Sequence, residues 1–296
     1  MEAKKQGGEP MEITRIGRIR GGQDGAIFGS LLFRLDHTGH GAVYDLAAPI
    51  PEDGRLIAVA ELSLDGSSGV IPHSNAVFFG KDRYTPEDEF PLLYSNVYNN
   101  CASCKNPRIG TLCAYRLARE EGGIVATLVQ TVRVGFCEDA ALWRATEEAH
   151  GVRPYGNFLY DPATDSLWAF VMRDEARGTR YFRFPMPSVR AGETEPTLGV
   201  PEAVLGAEDI AEQFDMPFYR FVQGAALFCG RIYSTEGFDH SEANPPAIRV
   251  VDLTARRESY HSLPELDIHE EPEMIDFYRG ECYYSDANGN LYTVKF

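Results

Sequence analysis

Residues 271–296, EPEMIDFYRGECYYSDANGNLYTVKF, decide how this chain folds. They divide into three short strands: 274–278, then 281–285 after Arg279-Gly280, then 291–296 after an Asp286-Ala-Asn-Gly-Asn turn whose Asn288-Gly289 step suits a tight hairpin. Nothing in the sequence remains for a fourth strand beside them. An open sheet edge pairs with other chains, so this one needs cover from elsewhere. The run 12–20, EITRIGRIR, carries Ile13, Ile16 and Ile19 and has no sheet of its own nearby. A first strand that completes the last sheet is how a β-propeller closes its ring. The expectation is an all-β chain, a five-bladed β-propeller over residues 11–296 closed by an N-terminal strand, with residues 1–10 as a flexible tail.

The rest of the chain reads as units of the same kind. The first opens at Gln23-Asp24-Gly25, continues as AIFGSLLFRLD (26–36), and gives further strands around 42–46 and 56–62. The second opens at Pro72-His73-Ser74-Asn75 and has strands at 76–80, 90–95, 111–117 and 123–134, with a polar insertion NNCASCKNPRIG between the second and third. The third opens near Gly156-Asn157 and runs through FLYD, SLWAFVMRD and TRYFRFPMP, with a short helical turn expected over 207–214 and a two-turn loop helix over 138–150. The fourth opens at Phe221-Val222-Gln223-Gly224, and the fifth at Glu271-Pro272-Glu273. Strand-turn-strand order without helical periodicity disfavours a parallel α/β sheet. Division of the long second unit would give six blades, the alternative to five.

Two units echo each other. QDGAIFGSLLF (23–33) matches QGAALFCGRIY (223–233) in pattern, and Val43-Tyr44-Asp45-Leu46 matches Val250-Val251-Asp252-Leu253. Together with the Glu-Pro-Glu opening and the Leu-Tyr-x-Val-x-Phe ending, this pattern resembles the bacterial five-bladed propellers related to teichoic-acid biosynthesis proteins and phage receptor-binding proteins. The resemblance covers most of the chain, is anchored in 221–296, and implies fold rather than activity. His73-Ser-Asn and Phe90-Pro-Leu-Leu-Tyr depart from it and point to an uncharacterised bacterial branch.

Composition limits the partners. The chain has 296 residues, 44 acidic against 28 basic, and a formal net charge of −16. Nucleic-acid binding needs clustered Lys and Arg, so that class is excluded, and the acidic balance serves solubility. No apolar run approaches the ~20 residues of a membrane-spanning helix. MEAKKQGGEP lacks the apolar core of a secretory signal, so a cytoplasmic protein is expected, or a secreted one whose leader has been removed. Of six cysteines, Cys229 and Cys282 lie in apolar strand patterns and read as small buried hydrophobes.

In a propeller the innermost strand of each blade lines the central channel, so blade openings converge on one mouth. Here they supply Gln23, His73, Asn75, Asn157, Gln223, Glu271 and Glu273 as candidate ligand-binding groups. Amides and carboxylates suit sugar hydroxyls or a hard divalent cation. The leading expectation is a binding site for a carbohydrate or other polyhydroxylated small molecule. A glycan-active hydrolase or lyase, with Asp24, Glu273 and His73 as acid–base groups or metal ligands, is the alternative, although His73 and Asn157 stand where propeller glycosidases carry acids. A protein-interaction scaffold is the third reading. Cys101-x-x-Cys104 with Cys113 supplies three thiols, one short of a structural zinc site, with Cys137 or a histidine as the fourth.

Overall fold

The computed structural model of the protein describes residues 11–64, 70, 72–97, 108, 110–134, 157–172, 178–217, 219, 221–237 and 244–296. After β1 (Glu12–Arg18), the first four-stranded unit is β2 (Gly25–Phe28), β3 (Leu31–Leu35), β4 (His40–Asp45) and β5 (Ala58–Leu64). The second is β6 (Val77–Phe79), β7 (Leu93–Val97), β8 (Thr111–Glu120) and β9 (Gly123–Val134). The third has β10 (Asn157–Asp161), β11 (Ser166–Met172) and β12 (Thr179–Pro185). A hairpin of β13 (Glu193–Thr194) and β14 (Pro201–Leu205) then intervenes before its fourth strand, β15 (Glu212–Met216). The fourth is β16 (Val222–Phe228), β17 (Arg231–Glu236), β18 (Ala247–Asp252) and β19 (Arg257–Ser262). The chain ends in β20 (Pro272–Tyr278), β21 (Glu281–Asp286) and β22 (Asn290–Lys295), and β1 joins β22 as that sheet's fourth strand.

Within each unit the strands pair antiparallel in the order they occur along the chain. The closing pair runs from Glu12 opposite Lys295 to Arg18 opposite Asn290. This is a β-propeller. Its opening strands touch in a circuit, β2 to β6, β6 to β10, β10 to β16, β16 to β20 and β20 back to β2.

Packing follows the same circuit, because successive side chains on a strand point to opposite faces and each unit buries both. Leu32 packs back against Met274, Tyr283 and Leu291 of the last unit, while Phe33 packs forward against Val77, Phe90 and Leu93 of the second. In the last unit Tyr283 faces the first unit, and Cys282 and Tyr284 face Tyr233, Ile248 and Val250 of the fourth. The remaining seams join the second and third units through Tyr94, Leu112, Phe158 and Phe182, and the third and fourth through Trp168, Tyr181, Ile232 and Val251. Aromatic rings serve these seams, as in the stacked Phe228 and Phe277, 4.2 Å apart.

The outer edge of β9 is shared. Its first half pairs in parallel with β5, from Glu61 opposite Gly123, and its second half with β14, from Glu202 opposite Thr131. Two short strands thus cover an edge that twelve residues would otherwise expose.

Three details differ from expectation. The run 26–36 is two strands, because Gly29 takes φ 61° and turns the chain with Ser30. The helical turn is confined to a 3-10 turn at Ala207–Asp209, and the rest of that stretch enters β15. Cys229 is exposed in the β16–β17 turn at φ 48°, whereas Cys282 is buried as expected. The helix expected over 138–150 lies outside the described residues.

Removing residues 1–18 strips β1 from β22 and leaves that edge open. The shortened protein is expected to lose its cooperative thermal transition and to enter the void volume in gel filtration. A sharp, monomeric melt within a few degrees of the full chain would show that closure by β1 is dispensable.

Candidate functional site

The openings of the first, second, fourth and fifth units share one local device. In the first unit, Leu35 faces both Gln23 and Asp24: its carbonyl accepts from Gln23 N–H at 2.7 Å, and its own N–H donates to the Asp24 carbonyl at 3.2 Å. In the second, the Asn96 carbonyl accepts from both His73 N–H and Ser74 N–H, at 3.1 and 3.2 Å, with Ser74 at φ 62°. In the fourth and fifth, register slips by one residue between Val222 and Gly224 and between Pro272 and Met274, at Gln223 and Glu273. Two residues opposing one is the arrangement of a β-bulge, which re-aims a side chain out of the strand's alternation.

The re-aimed side chains meet. Gln23 Nε2 donates to Glu273 Oε1 at 3.2 Å, and Gln223 Nε2 donates to Glu271 Oε1 at 2.6 Å. The two echoing glutamines therefore each hold one glutamate of the Glu271-Pro272-Glu273 opening. Asn75 Nδ2 extends the chain of contacts, donating to Gln223 Oε1 at 3.0 Å. Asn157 starts β10 with a fully buried side chain, and neither of its amide atoms has a hydrogen-bond partner among the described residues.

Beneath the amides lie buried charges. Asp24 Oδ2 accepts from Val77 N–H at 2.9 Å, and Asp24 N–H donates to the Ser74 carbonyl at 3.0 Å, fastening the first unit to the second. Arg34 Nη2 donates to the Gly22 carbonyl at 2.8 Å and the Asp286 carbonyl at 3.0 Å, fastening the first unit to the last. Burial pushes the carboxyls of Asp24 and Glu273 well above their ordinary range, against the opposing pull of Arg34. Burial lowers Arg34 in turn, with Glu273, Asp24 and Asp286 resisting. At Gly224 the fourth and fifth units approach tightly: a Cβ there would stand 2.0 Å from the Glu273 carbonyl oxygen and 2.9 Å from Asp24 Oδ1.

His73 sits apart from this set. Its ring lies 6.3 Å from that of His37, and burial together with His37 pushes it down to about 4, so it is neutral above that pH. Among the described residues no three His, Cys, Asp or Glu side chains are grouped to hold a metal ion. The cation site expected from His73, Asp24, Glu271 and Glu273 is therefore not assembled, because Asp24 is engaged by Val77 and His73 faces His37. Cys113 is buried in the core between the first two units, where burial pushes its thiol up to about 12. Cys101 and Cys104 lie outside the described residues.

A second buried charge cluster stands between the third and fourth units. Arg249 pairs with Glu258 through Nε at 2.7 Å, lies over the Tyr219 ring at 5.2 Å, and has Glu236 Oε1 3.6 Å from Nη1. Burial raises Glu236 to about 7, partly offset by Arg249.

Arg34 and Glu236 were not among the candidates read from sequence. The signal for Arg34 was a single charge inside the apolar run AIFGSLLFRLD. A lone buried charge needs partners, and these come from the opening of its own unit at Gly22 and from the last unit at Asp286.

No protein family's profile matches the chain, and no curated protein matches it. Among solved structures it is similar to an oxidoreductase (glucose dehydrogenase) from Thermus thermophilus, with 12% identity over 96% of this chain and 100% of the other, at a TM-score of 0.44. It is also similar to virginiamycin B lyase from Staphylococcus aureus, with 9% identity over 97% and 99% of the two chains and a TM-score of 0.42. The computationally designed Ika8 protein matches 92% of this chain at 9% identity and a TM-score of 0.32, and this chain spans 57% of its length.

Two outcomes are expected. Gly224→Ala forces a methyl into the Glu273 carbonyl and should cost about 3 kcal/mol or more in urea unfolding; a loss under about 1 kcal/mol would mean that the units separate there without strain. Glu236 binds its proton more tightly folded than unfolded, so its stabilisation is complete below about 4.5 and is lost as pH rises through about 7. Glu236→Gln should therefore flatten the fall in stability between pH 5 and pH 8, and identical pH profiles would refute the assignment.

Proposed function

We propose that the protein is a non-catalytic, five-bladed binding propeller whose channel mouth takes a carbohydrate or other polyhydroxylated small molecule. The carrying observation is that the unit openings bring Gln23 against Glu273, and Asn75 and Gln223 against Glu271, as neighbouring pairings of amides and carboxylates. Such groups donate and accept at once, as hydroxyls do, and a few convergent polar groups in a concave site fix a small ligand's orientation. Unpartnered atoms on buried Asn75, Asn157 and Glu273 leave hydrogen-bonding capacity for it. Asn157 joins the site in this reading on its place at the start of β10.

Binding is favoured over glycan hydrolysis. An acid–base pair needs two carboxyls free to face a reacting bond, whereas Glu273 is held through one oxygen by Gln23 Nε2. Asp24 also lends one oxygen to Val77. His73, being neutral and beside His37, takes a supporting place at the rim. We place the chain with the bacterial propellers of the teichoic-acid and phage-receptor group on its 221–296 pattern. Nucleic acid is not a partner in this reading, and no helix among the described residues is long and apolar enough to cross a membrane.

The test is thermal unfolding of the wild type and Gln223→Ala with D-glucose, D-galactose, D-mannose, myo-inositol, Ca²⁺ and Mg²⁺, with and without EDTA. A ligand of the folded state stabilises by about 2.7 kcal/mol at a hundredfold excess over Kd. At least one sugar or polyol should raise the melting temperature, and Gln223→Ala should weaken that binding at least tenfold. A well-folded wild type that none of these neutral compounds stabilises would sink the reading and leave a protein-interaction scaffold.

A further inference from the structure

Arg34 is placed where a structural arginine would be, yet it is only half used. It is 1% exposed, with Nη2 spent on two backbone carbonyls, while Nε and Nη1 have no hydrogen-bond partner among the described residues. Buried donors without partners cost about 1–3 kcal/mol each, more on a charged group. The same deficit appears on its neighbours with the opposite sign. Glu273 Oε2 and Asp24 Oδ1 are buried acceptors without partners, and these two carboxyls are the strongest charges felt by Arg34. Glu273 also carries the bond from Gln23, which ties this trio to the amides of the unit openings.

Resting on the binding reading above, we propose that Arg34, Glu273 and Asp24 form the floor of the site and make it selective for a neutral ligand with at least two hydroxyl groups. A ligand hydroxyl oxygen accepts from Arg34 Nε–H or Nη1–H, while its own proton goes to Glu273 Oε2 or Asp24 Oδ1. Only a group that accepts and donates through one atom satisfies both sides of the trio, which is the property of a hydroxyl. A ligand carboxylate would satisfy Arg34 but would leave Glu273 and Asp24 unmatched. It would also enter beside Glu271 and the Asp286 end of β21, where like charge opposes it. The floor therefore accepts neutral sugars and rejects acidic ones, and Arg34 is a binding residue as well as a fastener between units.

The test compares D-glucose, D-galactose, D-mannose and myo-inositol with D-glucuronate and D-galacturonate, by calorimetric titration of the wild type, Arg34→Lys and Glu273→Gln. Glu273→Gln keeps an oxygen for Gln23 and replaces the free acceptor by a donor, so it reads the floor even where Arg34→Lys fails to fold. The expected result is that a neutral sugar or polyol binds the wild type at least tenfold more tightly than either uronate, and that Glu273→Gln weakens it at least tenfold. Binding of a neutral compound that is unchanged in the folded floor variants would overturn this inference while leaving the mouth site standing. Preference for a uronate would overturn the proposed selectivity. Absence of any sugar or polyol binding to the wild type would remove the binding reading itself.

Discussion

The constraint on which everything else depends is that each sheet is apolar on both faces. In the first unit, Leu32 and Phe33 are neighbours in sequence and serve different seams, one against the last unit and one against the second. A sheet of this kind has no surface to offer water, so it needs a companion on each side, and a row of such sheets is stable only when its ends meet. Pairing of β1 with β22 is the bond that lets them meet. It turns the two ends of a row, each with a bare apolar face, into one more seam, built from Ile19, Leu32, Tyr44, Met274 and Leu291.

Closure also explains why polar chemistry collects where it does. When the opening strands of all units are drawn together, their ends are buried without having all their hydrogen bonds supplied by sheet pairing. The chain answers with bulges, and with side chains that reach across to the next unit: Asp24 to the Val77 N–H, Asp276 to the Ile27 N–H at 2.6 Å, and Arg34 to the Asp286 carbonyl. The amide and carboxylate set at the unit openings grows from the same need. Gln23 and Gln223 satisfy glutamates of the last unit and remain half-buried. A structural solution to crowded strand ends thus gathers amides and carboxylates side by side, the raw material of a binding site.

Much of this was legible from residues alone. The last three strands and the return of residues 12–18 followed from turn chemistry and from the need to cover an edge. The echo between 23–33 and 223–233 proved to mark equivalent positions, since Gln23 and Gln223 both stand at bulged openings, and Asp45 and Asp252 both end third strands. The turn at Gly29-Ser30 was hidden because apolar triplets flank it, and its counterpart concealed the exposure of Cys229 for the same reason. The fourth strand of the third unit was obscured by the intervening hairpin that leaves to cover β9. Arg34 was missed because periodicity ranks a residue by its own polarity, whereas its role comes from its bond to Asp286 in the last unit, far away in sequence. The distances that separate a fastener from an acid–base pair are likewise absent from any spacing rule.

The closing pair sets a condition on biosynthesis. Glu12 leaves the ribosome before any of the sheets, and its partner Lys295 only after all of them. Until then the strand at Glu12 has no sheet to enter, and the first unit shows one apolar face without its seam. The units between can form hairpins as they appear, since their strands are neighbours in sequence, but the ring can be completed only after the whole propeller has been made. For all that time the nascent protein carries an unpaired strand at one end of the row and a growing apolar face at the other, the combination that chaperones shield. The device that covers the apolar faces of the first and last units in the finished molecule therefore leaves one of them bare throughout its synthesis.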